Sequence, residues 1–421
     1  MAEKFFIKGT AKINGEIEVY GSKNAAGAVI SAALLTNEPT IINNVPLVSD
    51  ILNLLNILEE MGAIVEWLEP RTVRITAGGN MDPGKLNFEK FSKTRVSVLL
   101  IGALTARFQE FKVSRPGGDR IGLRPITTHL EGIRDLGVSI EERDGCYIFK
   151  RGALQSKEIV LSEFSVTATE NLMLAASLAS GKTVIKMAAA EPQVQNLGEV
   201  LSQMGVDIRG VGTHTITING QDKVKGIECS VIPDPLEAGT FIALGAVIAK
   251  RLRIKNVISE HLVSFLKKLE DIGAKIERGD GFVVVEGQKD FKPARVQSLP
   301  YPGFPTDLLP LIVPLLTQAT GKSLIHDPLY ENRFNYIQEL RKMGADIEIV
   351  DPHRAFVFGK TALHGNIIHS WDIRAGASLV IAGLLADGST TLEDVEQIDR
   401  GYERIEERLQ ALGADIKRIT T

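Results

Sequence analysis

The chain repeats one short pattern six times, and this repetition constrains its fold more than any other feature of the sequence. In each copy an amphipathic stretch ends at Met, Leu or Ile, followed by Gly, by Ala or Val, and by alternating strand-like residues. The shared glycines, spaced 68 to 75 residues apart, are Gly62, Gly137, Gly205, Gly273, Gly344 and Gly413. Glycine supplies the left-handed cap at the end of a helix, and the alternation that follows predicts a β-strand.

A second pattern recurs out of phase with the first and consists of an apolar helix, a small polar turn and a strand. The apolar helices, such as AAGAVISAALL and GTFIALGAVIA, are hydrophobic on nearly all faces, which is typical of helices buried inside a globule. The helices that end at the shared glycines, such as VSFLKKLEDIG, carry one charged face and are expected at the surface. Each repeat therefore reads as an α/β unit with one buried and one surface helix.

Six α/β repeats of this size cannot stand alone, so we expect them to pack as two domains of three repeats each. The predicted domains are residues 1–22 plus 233–421, with repeats four to six, and residues 23–232, with repeats one to three and a mobile loop over 114–125. The first strand, from Lys4 to Tyr20, is expected to complete the sixth repeat. The chain would then cross between the domains twice.

Composition excludes several classes of protein. A net charge of −4 gives no reason to expect nucleic acid or an anionic membrane as a partner, and no apolar run is long enough for a transmembrane helix. The N-terminus is interpreted as mature structure rather than as a signal peptide.

The chain has only two cysteines, so a disulfide framework is not expected and a reducing cytoplasm is. Cys146 and Cys229 lie in strand-like segments, and we expect their thiols to be inert. The seven histidines form no metal-binding motif, and we predict no metal site.

Unusual polar residues collect in the loops that lead from a strand into a helix, where backbone N–H groups favour anions. Before the buried helices stand Lys23, Asn24, Arg95, Ser165, Asp234, Glu237, Asp307, Asp372 and Arg374. Before the surface helices stand Asp119, Arg120, Arg124, Glu331, Arg333, Asp399 and Arg400. Such a set is suited to an anionic ligand.

Each of these residues also has a purely structural interpretation. An Asp or Ser at a helix start is usually a cap, and for Asp234 and Asp372 taken alone we favour capping over catalysis. Lys23 and Arg95 are different, because a cation at a helix N-terminus opposes the helix dipole. A bound anion explains them better, with a salt bridge to a loop carboxylate as the alternative. The glycine-rich PGGD stretch, bracketed by arginines, is either a functional loop or a mobile surface hairpin.

At GSKNAA, RPGGDRIGLRP, FPTD, ENRF and DRGYERIE the sequence resembles the UDP-N-acetylglucosamine 1-carboxyvinyltransferases, and the resemblance runs from Lys4 to Ile419. It implies the inside-out α/β barrel of enolpyruvyl transferases, with six repeats in two domains and an active site in the cleft between them. It also implies transfer of the enolpyruvyl group of phosphoenolpyruvate to the 3′-hydroxyl of UDP-N-acetylglucosamine, the first committed step of peptidoglycan synthesis. A cytoplasmic enzyme without cofactor is expected, and the polar surface helices favour a monomer.

The resemblance assigns roles to individual residues. Lys23, Asp119, Asp307 and Arg400 would act in catalysis, with Lys23 at the phosphate and Asp307 at the attacking hydroxyl. Supporting roles around phosphoenolpyruvate fall to Arg95, Arg124, Arg333, Asp372, Arg374 and Arg400. Asn24 would contact both substrates, and the nucleotide-sugar pocket would contain Pro125, His129, Ser165, Val166, Thr167, Leu329 and Tyr330.

The sequence departs from the family at several of these places. Asp119 stands where most members carry the loop cysteine that fosfomycin attacks, so the resemblance leaves open whether Asp119 is the acid or assists product release. On the nucleotide-sugar side the unusual residues are Thr127, Thr128, Glu163, Gln193 and Pro235. These departures leave the phosphoenolpyruvate side intact, and they admit a different nucleotide-sugar acceptor.

Two other functions are compatible with an architecture of this kind. The shikimate-pathway enolpyruvyl transferase shares the architecture and the donor, but it has a GSKS-type start and an LGNAGT motif, which this chain lacks. A non-catalytic repeat protein could instead bind a nucleotide ligand as a sensor. The joint presence of Lys23, Asp307 and Arg400 argues against a sensor, because binding alone does not need a placed base.

Overall fold

The structure is a computed structural model that describes residues 3–9, 12–118, 121–122 and 124–420. The chain divides into two compact units. The first unit is formed by Met1–Tyr20, Asp119–Leu123 and Pro233–Thr421, and the second by Gly21–Gly118 and Arg124–Ile232. Within the predicted loop 114–125, the described residues 121–122 thus group with the first unit. The predicted domain boundaries stay a prediction, since a compact unit need not fold by itself.

The strands are numbered along the described chain. They are β1 (Glu3–Lys8), β2 (Asn14–Glu18), β3 (Thr40–Asn43), β4 (Ile64–Glu69), β5 (Thr72–Thr76), β6 (Glu110–Ser114), β7 (Val138–Arg143), β8 (Cys146–Arg151), β9 (Glu158–Val160), β10 (Gly181–Lys186), β11 (Asp207–Arg209), β12 (Thr215–Gly220), β13 (Glu228–Ser230), β14 (Arg251–Lys255), β15 (Lys275–Gly279), β16 (Phe282–Glu286), β17 (Arg295–Gln297), β18 (Gly321–His326), β19 (Asp346–Asp351), β20 (Arg354–Gly359), β21 (Ile367–His369), β22 (Ser389–Glu393) and β23 (Asp415–Thr420).

The α-helices are α1 (Lys23–Ala32), α2 (Ser49–Glu60), α3 (Phe88–Lys93), α4 (Leu100–Arg107), α5 (Thr127–Asp135), α6 (Val166–Ala176), α7 (Pro192–Gln203), α8 (Pro235–Ile248), α9 (Val263–Asp271), α10 (Leu309–Leu316), α11 (Asn335–Lys342), α12 (Ile373–Leu385), α13 (Glu396–Asp399) and α14 (Ile405–Ala411). Short 3₁₀ turns lie at Ala33–Leu35, Pro83–Lys85, Val96–Leu99, Ser259–Leu262 and Thr306–Leu308.

The strands of the described chain form six sheets, one for each predicted repeat. Five sheets have four strands in one shared order, in which an edge strand pairs in parallel with the first of three antiparallel strands. These sheets are β13-β3-β5-β4, β9-β10-β12-β11, β2-β14-β16-β15, β17-β18-β20-β19 and β21-β22-β1-β23. The sixth, β6-β8-β7, has three strands. The predicted architecture of six α/β repeats is confirmed.

The N-terminal segment completes the sixth repeat as predicted, but it does so with only part of its length. Strand β1 lies between β22 and β23 and pairs antiparallel with both. The single strand predicted from Lys4 to Tyr20 is wrong, because β2 pairs in parallel with β14 in the sheet of the fourth repeat. One continuous strand cannot serve two sheets, so the segment divides into two.

The six shared glycines adopt the left-handed backbone conformation expected of helix C-caps. Their φ angles lie between 86° and 106°. At Gly62 the N–H donates to Glu59 O, and the next N–H, of Ala63, reaches back to Leu58 O, at 2.9 Å in both cases. This pair of hydrogen bonds closes the helix end, and only glycine adopts the required φ without strain.

Each unit has its own hydrophobic core, and the apolar helices lie inside it. In the second unit these helices are α1, α4 and α6, and in the first they are α8, α10 and α12. Most of their residues are buried, as their sequences predict. Both cysteines are buried in strands. None of the helices in the described ranges is both long and apolar enough to cross a membrane.

Candidate active site

In the first unit, three helices begin beside a group of charged residues that we call the acid–arginine cluster, defined as Asp307, Arg333, Asp372 and Arg374. Asp307 lies in the 3₁₀ turn that leads into α10, and Arg333 precedes α11. Asp372 is the N-cap of α12, and Arg374 follows in its first turn. The strand-to-helix loops therefore deliver these residues as the sequence predicts.

Two buried arginines, Arg333 and Arg374, hold the carboxylate of Asp307. Arg333 Nη2 donates to Asp307 Oδ1 at 2.5 Å, and Arg374 Nε lies 3.9 Å from Asp307 Oδ2. The arginine side chains are 3% and 4% exposed, whereas that of Asp307 is 31% exposed. A half-buried carboxylate is thus oriented by buried cations, which favour its ionised form.

The charges of this cluster are mutually dependent. Burial opposes the charge of Arg333, but the carboxylates of Asp307, Asp372 and Asp327 raise its pKa above the ordinary value. Burial likewise opposes the charge of Arg374, and its surroundings, which include Asp234 and Asp307, raise its pKa. Both guanidinium groups therefore stay charged at every physiological pH, and removal of a carboxylate would leave buried positive charge less compensated.

The capping interpretation of Asp234 and Asp372 is confirmed. Asp234 Oδ1 accepts from the N–H groups of Leu236 and Glu237 at 2.8 and 3.3 Å. Asp372 Oδ1 accepts from those of Arg374 and Ala375 at 2.8 and 2.9 Å. A substrate-binding role for Asp372 stays a prediction, and its hydrogen bonds show that it fixes the backbone of Arg374.

A buried residue that the sequence did not single out, Asp327, links several predicted site segments. Its carboxylate accepts from Ser298 Oγ, Thr306 Oγ1 and Leu329 N at 2.6, 2.7 and 3.1 Å. Leu329 is 40% exposed, and the ring of the adjacent Tyr330 lies 5.4 Å from the guanidinium of Arg333. The loop that carries the predicted sugar-nucleotide residues is therefore tied to the cluster.

Arg400 follows the short helix α13, and its Nη1 donates to Gln397 Oε1 at 3.1 Å. The preceding residue, Asp399, is held by a bidentate ion pair with Arg418 at 2.7 and 2.8 Å. Arg418 lies on β23 and also contacts Glu3 of β1 at 2.7 Å. The segment before Arg400 is thus anchored to the closing strands of the sixth repeat.

In the second unit, Lys23 is the first residue of α1, and its ammonium group forms an ion pair with Asp50. The Nζ–Oδ2 distance is 3.0 Å, and the side chains are 12% and 6% exposed. Asp50 lies in the first turn of α2, so the pair joins two helix N-termini. The salt-bridge alternative is therefore present, although its partner lies on a helix rather than a loop. Asn24, the next residue, is half-buried.

Arg95 is held by the backbone of the segment that carries Arg124. Its Nη1 donates to Arg124 O at 2.8 Å, and its Nη2 donates to Pro125 O at 3.4 Å. Gly118 packs so closely on both arginines that an added Cβ would lie 2.9 Å from Arg95 Cβ and 3.1 Å from Arg124 Nη1. The two arginines are thus neighbours, as a site for an anion requires. Asp119 lies outside the described residues.

His129 is buried on α5 and hydrogen-bonded to Thr167 of α6, with a distance of 2.7 Å between Nε2 and Oγ1. Burial, and then the charges of Arg95 and Arg124, lower the pKa of His129 to about 3. Ser165 caps α6 by accepting from Ala168 N at 3.4 Å, and Val166 is the first helical residue. Four of the predicted pocket residues, His129, Ser165, Val166 and Thr167, therefore lie at one helix N-terminus, where the imidazole is neutral.

Replacing His129 by Gln is expected to flatten the acid dependence of stability. The imidazole titrates near its ordinary pKa when unfolded but only at about 3 when folded, so the wild type loses stability as pH falls below about 6.5. From pH 7 to pH 5 this loss is about 2 kcal/mol, at about 1.4 kcal/mol per pH unit. Urea unfolding of both proteins at several pH values measures it, and parallel curves would contradict the assignment.

Two of the departures from the family lie together in the second unit. Thr128 Oγ1 lies 2.9 Å from Ser162 Oγ and donates to Glu163 Oε1 at 3.2 Å. Thr127 begins α5, Gln193 lies in the first turn of α7, and Pro235 begins α8 in the first unit. The unusual residues Thr128 and Glu163 are therefore hydrogen-bonded to each other. The sequence alone does not show this, because the two residues lie 35 positions apart.

The arrangement offers an oriented carboxylate in the first unit and grouped cations in the second. A carboxylate of this kind can accept a hydroxyl proton, and Lys or Arg groups can hold phosphate and carboxylate. Within the ranges that the structure describes, no group of three or more His, Cys, Asp or Glu residues could hold a metal ion.

Comparison with known proteins assigns the chain to a family. The model of EPSP synthase (3-phosphoshikimate 1-carboxyvinyltransferase) matches residues 7–409. A UDP-N-acetylglucosamine 1-carboxyvinyltransferase of Carboxydothermus hydrogenoformans is 42% identical over 99% of this chain and 98% of its own. Proteins of the same name from Koribacter versatilis and Bacillus subtilis are 43% and 41% identical over 99% of this chain and 96% of theirs.

Solved structures agree on the fold. The enolpyruvyl transferase NikO from Streptomyces tendae superposes with a TM-score of 0.91 at 24% identity, covering 100% of this chain and 99% of its own. EPSP synthase from Acinetobacter baumannii gives 0.77 at 19% identity, with full coverage of both chains. The chain belongs to the EPSP synthase family of enolpyruvyl transferases, and within that family to the UDP-N-acetylglucosamine 1-carboxyvinyltransferases.

Proposed function

We propose that the protein transfers the enolpyruvyl group of phosphoenolpyruvate to the 3′-hydroxyl of UDP-N-acetylglucosamine and releases inorganic phosphate. The reaction is the first committed step of peptidoglycan synthesis. The proposal rests on relatives of that name at 41–43% identity over nearly the whole chain. The observation in the structure that supports it most directly is the half-buried Asp307 carboxylate held by two buried arginines.

The chemistry proceeds by addition and elimination. The sugar oxygen forms a bond to C2 of phosphoenolpyruvate while C3 takes up a proton, which gives a tetrahedral intermediate. The C2–O bond to phosphate then breaks, and a proton leaves the C3 methyl group to restore the double bond. Asp307 accepts the proton of the attacking hydroxyl, and its pairing with Arg333 and Arg374 fixes the direction from which it does so.

The donor carries two anionic groups and needs several cations. Lys23, Arg124 and Arg400 are proposed to bind its phosphate and carboxylate and to stabilise phosphate as it leaves. Arg95 supports Arg124, because it donates to the carbonyl oxygen of that residue. Asp119 is proposed to act in proton transfer or product release on the loop that carries it.

The acceptor is proposed to bind through Asn24, Pro125, His129, Ser165, Val166 and Thr167 of the second unit and through Leu329 and Tyr330 of the first. The N-terminus of α6 presents backbone N–H groups, which suit the diphosphate of a nucleotide sugar. The neutral His129 offers hydrogen bonding without charge. Glu163 adds a carboxylate near this pocket, and its bond to Thr128 keeps that carboxylate turned toward α5.

Phosphate release with phosphoenolpyruvate and different acceptors tests the proposal. Release is expected with UDP-N-acetylglucosamine and not with shikimate 3-phosphate. Release with shikimate 3-phosphate alone would assign the chain to the other branch of the family. If neither acceptor supports release, the proposed reaction is wrong, and the alternatives are transfer to a different nucleotide-sugar acceptor or a nucleotide-sugar sensor.

Fosfomycin is expected to leave the protein active. The drug alkylates a loop cysteine in most of the family, and this chain has Asp119 there. Its two thiols, Cys146 and Cys229, are both buried away from the drug, and burial raises the pKa of Cys229 to about 12, so Cys229 offers no reactive thiolate. Mass spectrometry should show no adduct, whereas Asp119→Cys should gain both adduct and inactivation. An adduct on the wild type would contradict this expectation.

We also propose that the protein acts as a monomer in the cytoplasm. The surface helices carry charged faces, and α9 has two ion pairs, Lys267–Asp271 within the helix and Glu270–Arg278 with β15. Light scattering coupled to gel filtration should give the mass of one chain at every concentration tested. A mass of two chains that persists on dilution would contradict the proposal.

A further inference from the structure

We propose that Asp327 is a positioning residue for the transfer reaction, acting through Thr306 and Arg333 on the base Asp307. This inference rests on the proposed function and deepens it. Asp327 is fully buried at the end of β18, with 0% exposure. A buried carboxylate is costly unless its hydrogen bonds are made, so its presence calls for an explanation.

The contacts form one continuous relay from Asp327 to Asp307. Thr306 Oγ1 donates its proton to Asp327 Oδ2 at 2.7 Å and accepts from Arg333 Nη1 at 2.8 Å. Arg333 Nη2 donates to Asp307 Oδ1 at 2.5 Å. Since the single hydroxyl proton points to Asp327, the lone pairs of Thr306 face Arg333 and fix its guanidinium plane.

The same carboxylate also fixes the neighbouring loop. Asp327 Oδ1 accepts from Ser298 Oγ at 2.6 Å and from Leu329 N at 3.1 Å. Its backbone is held on both sides by His353, through Asp327 N to His353 O at 2.8 Å and His353 Nδ1 to Asp327 O at 2.7 Å. Asp327 therefore connects the turn of Asp307, the loop of Leu329 and the guanidinium of Arg333.

The repeats provide an internal comparison. The residue after the corresponding strand is Asn44 in the first repeat and Asn256 in the fourth, and each adopts a positive φ. Their side-chain amides donate to Val231 O and Val19 O, at 2.9 and 2.8 Å, and so join two strands of a sheet. In the fifth repeat this position is Asp327, which keeps the contact to the edge strand through Ser298 Oγ and also accepts from Thr306 and Leu329. The fifth repeat thus adds contacts to the site segments.

The charges around Arg333 and Asp307 matter in addition to the hydrogen bonds of the relay. The carboxylates that act on Arg333 are those of Asp307, Asp372 and Asp327, and the buried Tyr336 hydroxyl lies among them. Arg374, the other cation at Asp307, is also acted on by Asp234 and Tyr402. Loss of the Asp327 contact releases Arg333 from Asp307, which takes away a cation that favours the ionised base. The acid limb of the rate profile should therefore move to higher pH.

Kinetics of Asp327→Asn and Thr306→Val test the relay. Each change should lower kcat by about 10- to 100-fold, as expected for a lost hydrogen bond to a charged group, with KM changed far less. Thr306→Ser keeps the hydroxyl and should retain most of the activity. The double variant should be no slower than the slower single variant, because both changes break one chain of contacts. The matched control is Asp394→Asn, the same change at the same position of the sixth repeat, where the side chain is 55% exposed.

The possible outcomes separate this inference from the proposed function. A wild type that releases no phosphate overturns the proposed reaction, and a crystal structure of Asp327→Asn then decides the relay without any turnover. The inference predicts that Arg333 leaves Asp307 in that structure. An unchanged Arg333–Asp307 pair, wild-type kcat with an unmoved acid limb, or single-variant losses that multiply in the double variant would each overturn it.

Discussion

Replacing Asp307 by Asn is expected to lower kcat by about 10²- to 10⁴-fold, the range for a lost general base, while binding of UDP-N-acetylglucosamine changes little. The amide keeps the shape and can still accept from Arg333, but it cannot take the hydroxyl proton. The isosteric change leaves Asp372 and Asp327 to compensate Arg333 and leaves Asp234 to compensate Arg374, so the fold should survive.

Steady-state kinetics and calorimetric titration of the nucleotide sugar separate the two effects. The control is Asp346→Asn on the exposed edge strand β19, which should behave as wild type. Near-normal turnover of Asp307→Asn would show that another group takes the proton. Loss of binding together with turnover would show that Asp307 holds the acceptor rather than acting as the base.

Replacing Lys23 by Met is expected to reduce turnover by about 10²- to 10³-fold, comparable to removal of one group that stabilises charge in a transition state. It should also destabilise the fold by a few kcal/mol, because the largely buried Asp50 loses its ammonium partner. The two consequences have different causes, and a second substitution distinguishes them.

The double variant Lys23→Met/Asp50→Asn removes both charges of the pair. It should recover most of the lost thermal stability but none of the lost activity, because the phosphate-binding cation is still missing. Lys23→Arg, which keeps the charge, should retain binding of phosphoenolpyruvate. If the double variant regains activity along with stability, Lys23 is only a structural residue and its proposed role at the phosphate is wrong.

The fold is largely predictable from the sequence because its repeats obey local rules. The left-handed cap at the end of each surface helix requires glycine. Helices that are apolar on all faces are stable only inside a hydrophobic core. The interpretation of Asp372 as a cap succeeded for the same reason, since its hydrogen bonds reach only two and three residues ahead. These features depend on neighbours in sequence.

The parts that sequence did not reveal depend on contacts between distant segments. Asp50 looks like an ordinary acidic residue in the first turn of a surface helix, and nothing local shows that it pairs with Lys23. Asp327 follows a strand in SLIHDP, and its role appears only when the turn of Thr306 packs against it. The division of the N-terminal segment into β1 and β2 has the same origin, because it is set by the sheets that each half joins.

The most direct test of the central claim is mass spectrometry of the product formed from phosphoenolpyruvate and UDP-N-acetylglucosamine in heavy water. The account predicts a nucleotide sugar that has gained one carboxyvinyl group, with deuterium at C3 because that carbon gains and then loses a proton. An unmodified nucleotide sugar, with phosphoenolpyruvate intact, would contradict the claim that this chain is an enolpyruvyl transferase acting on UDP-N-acetylglucosamine.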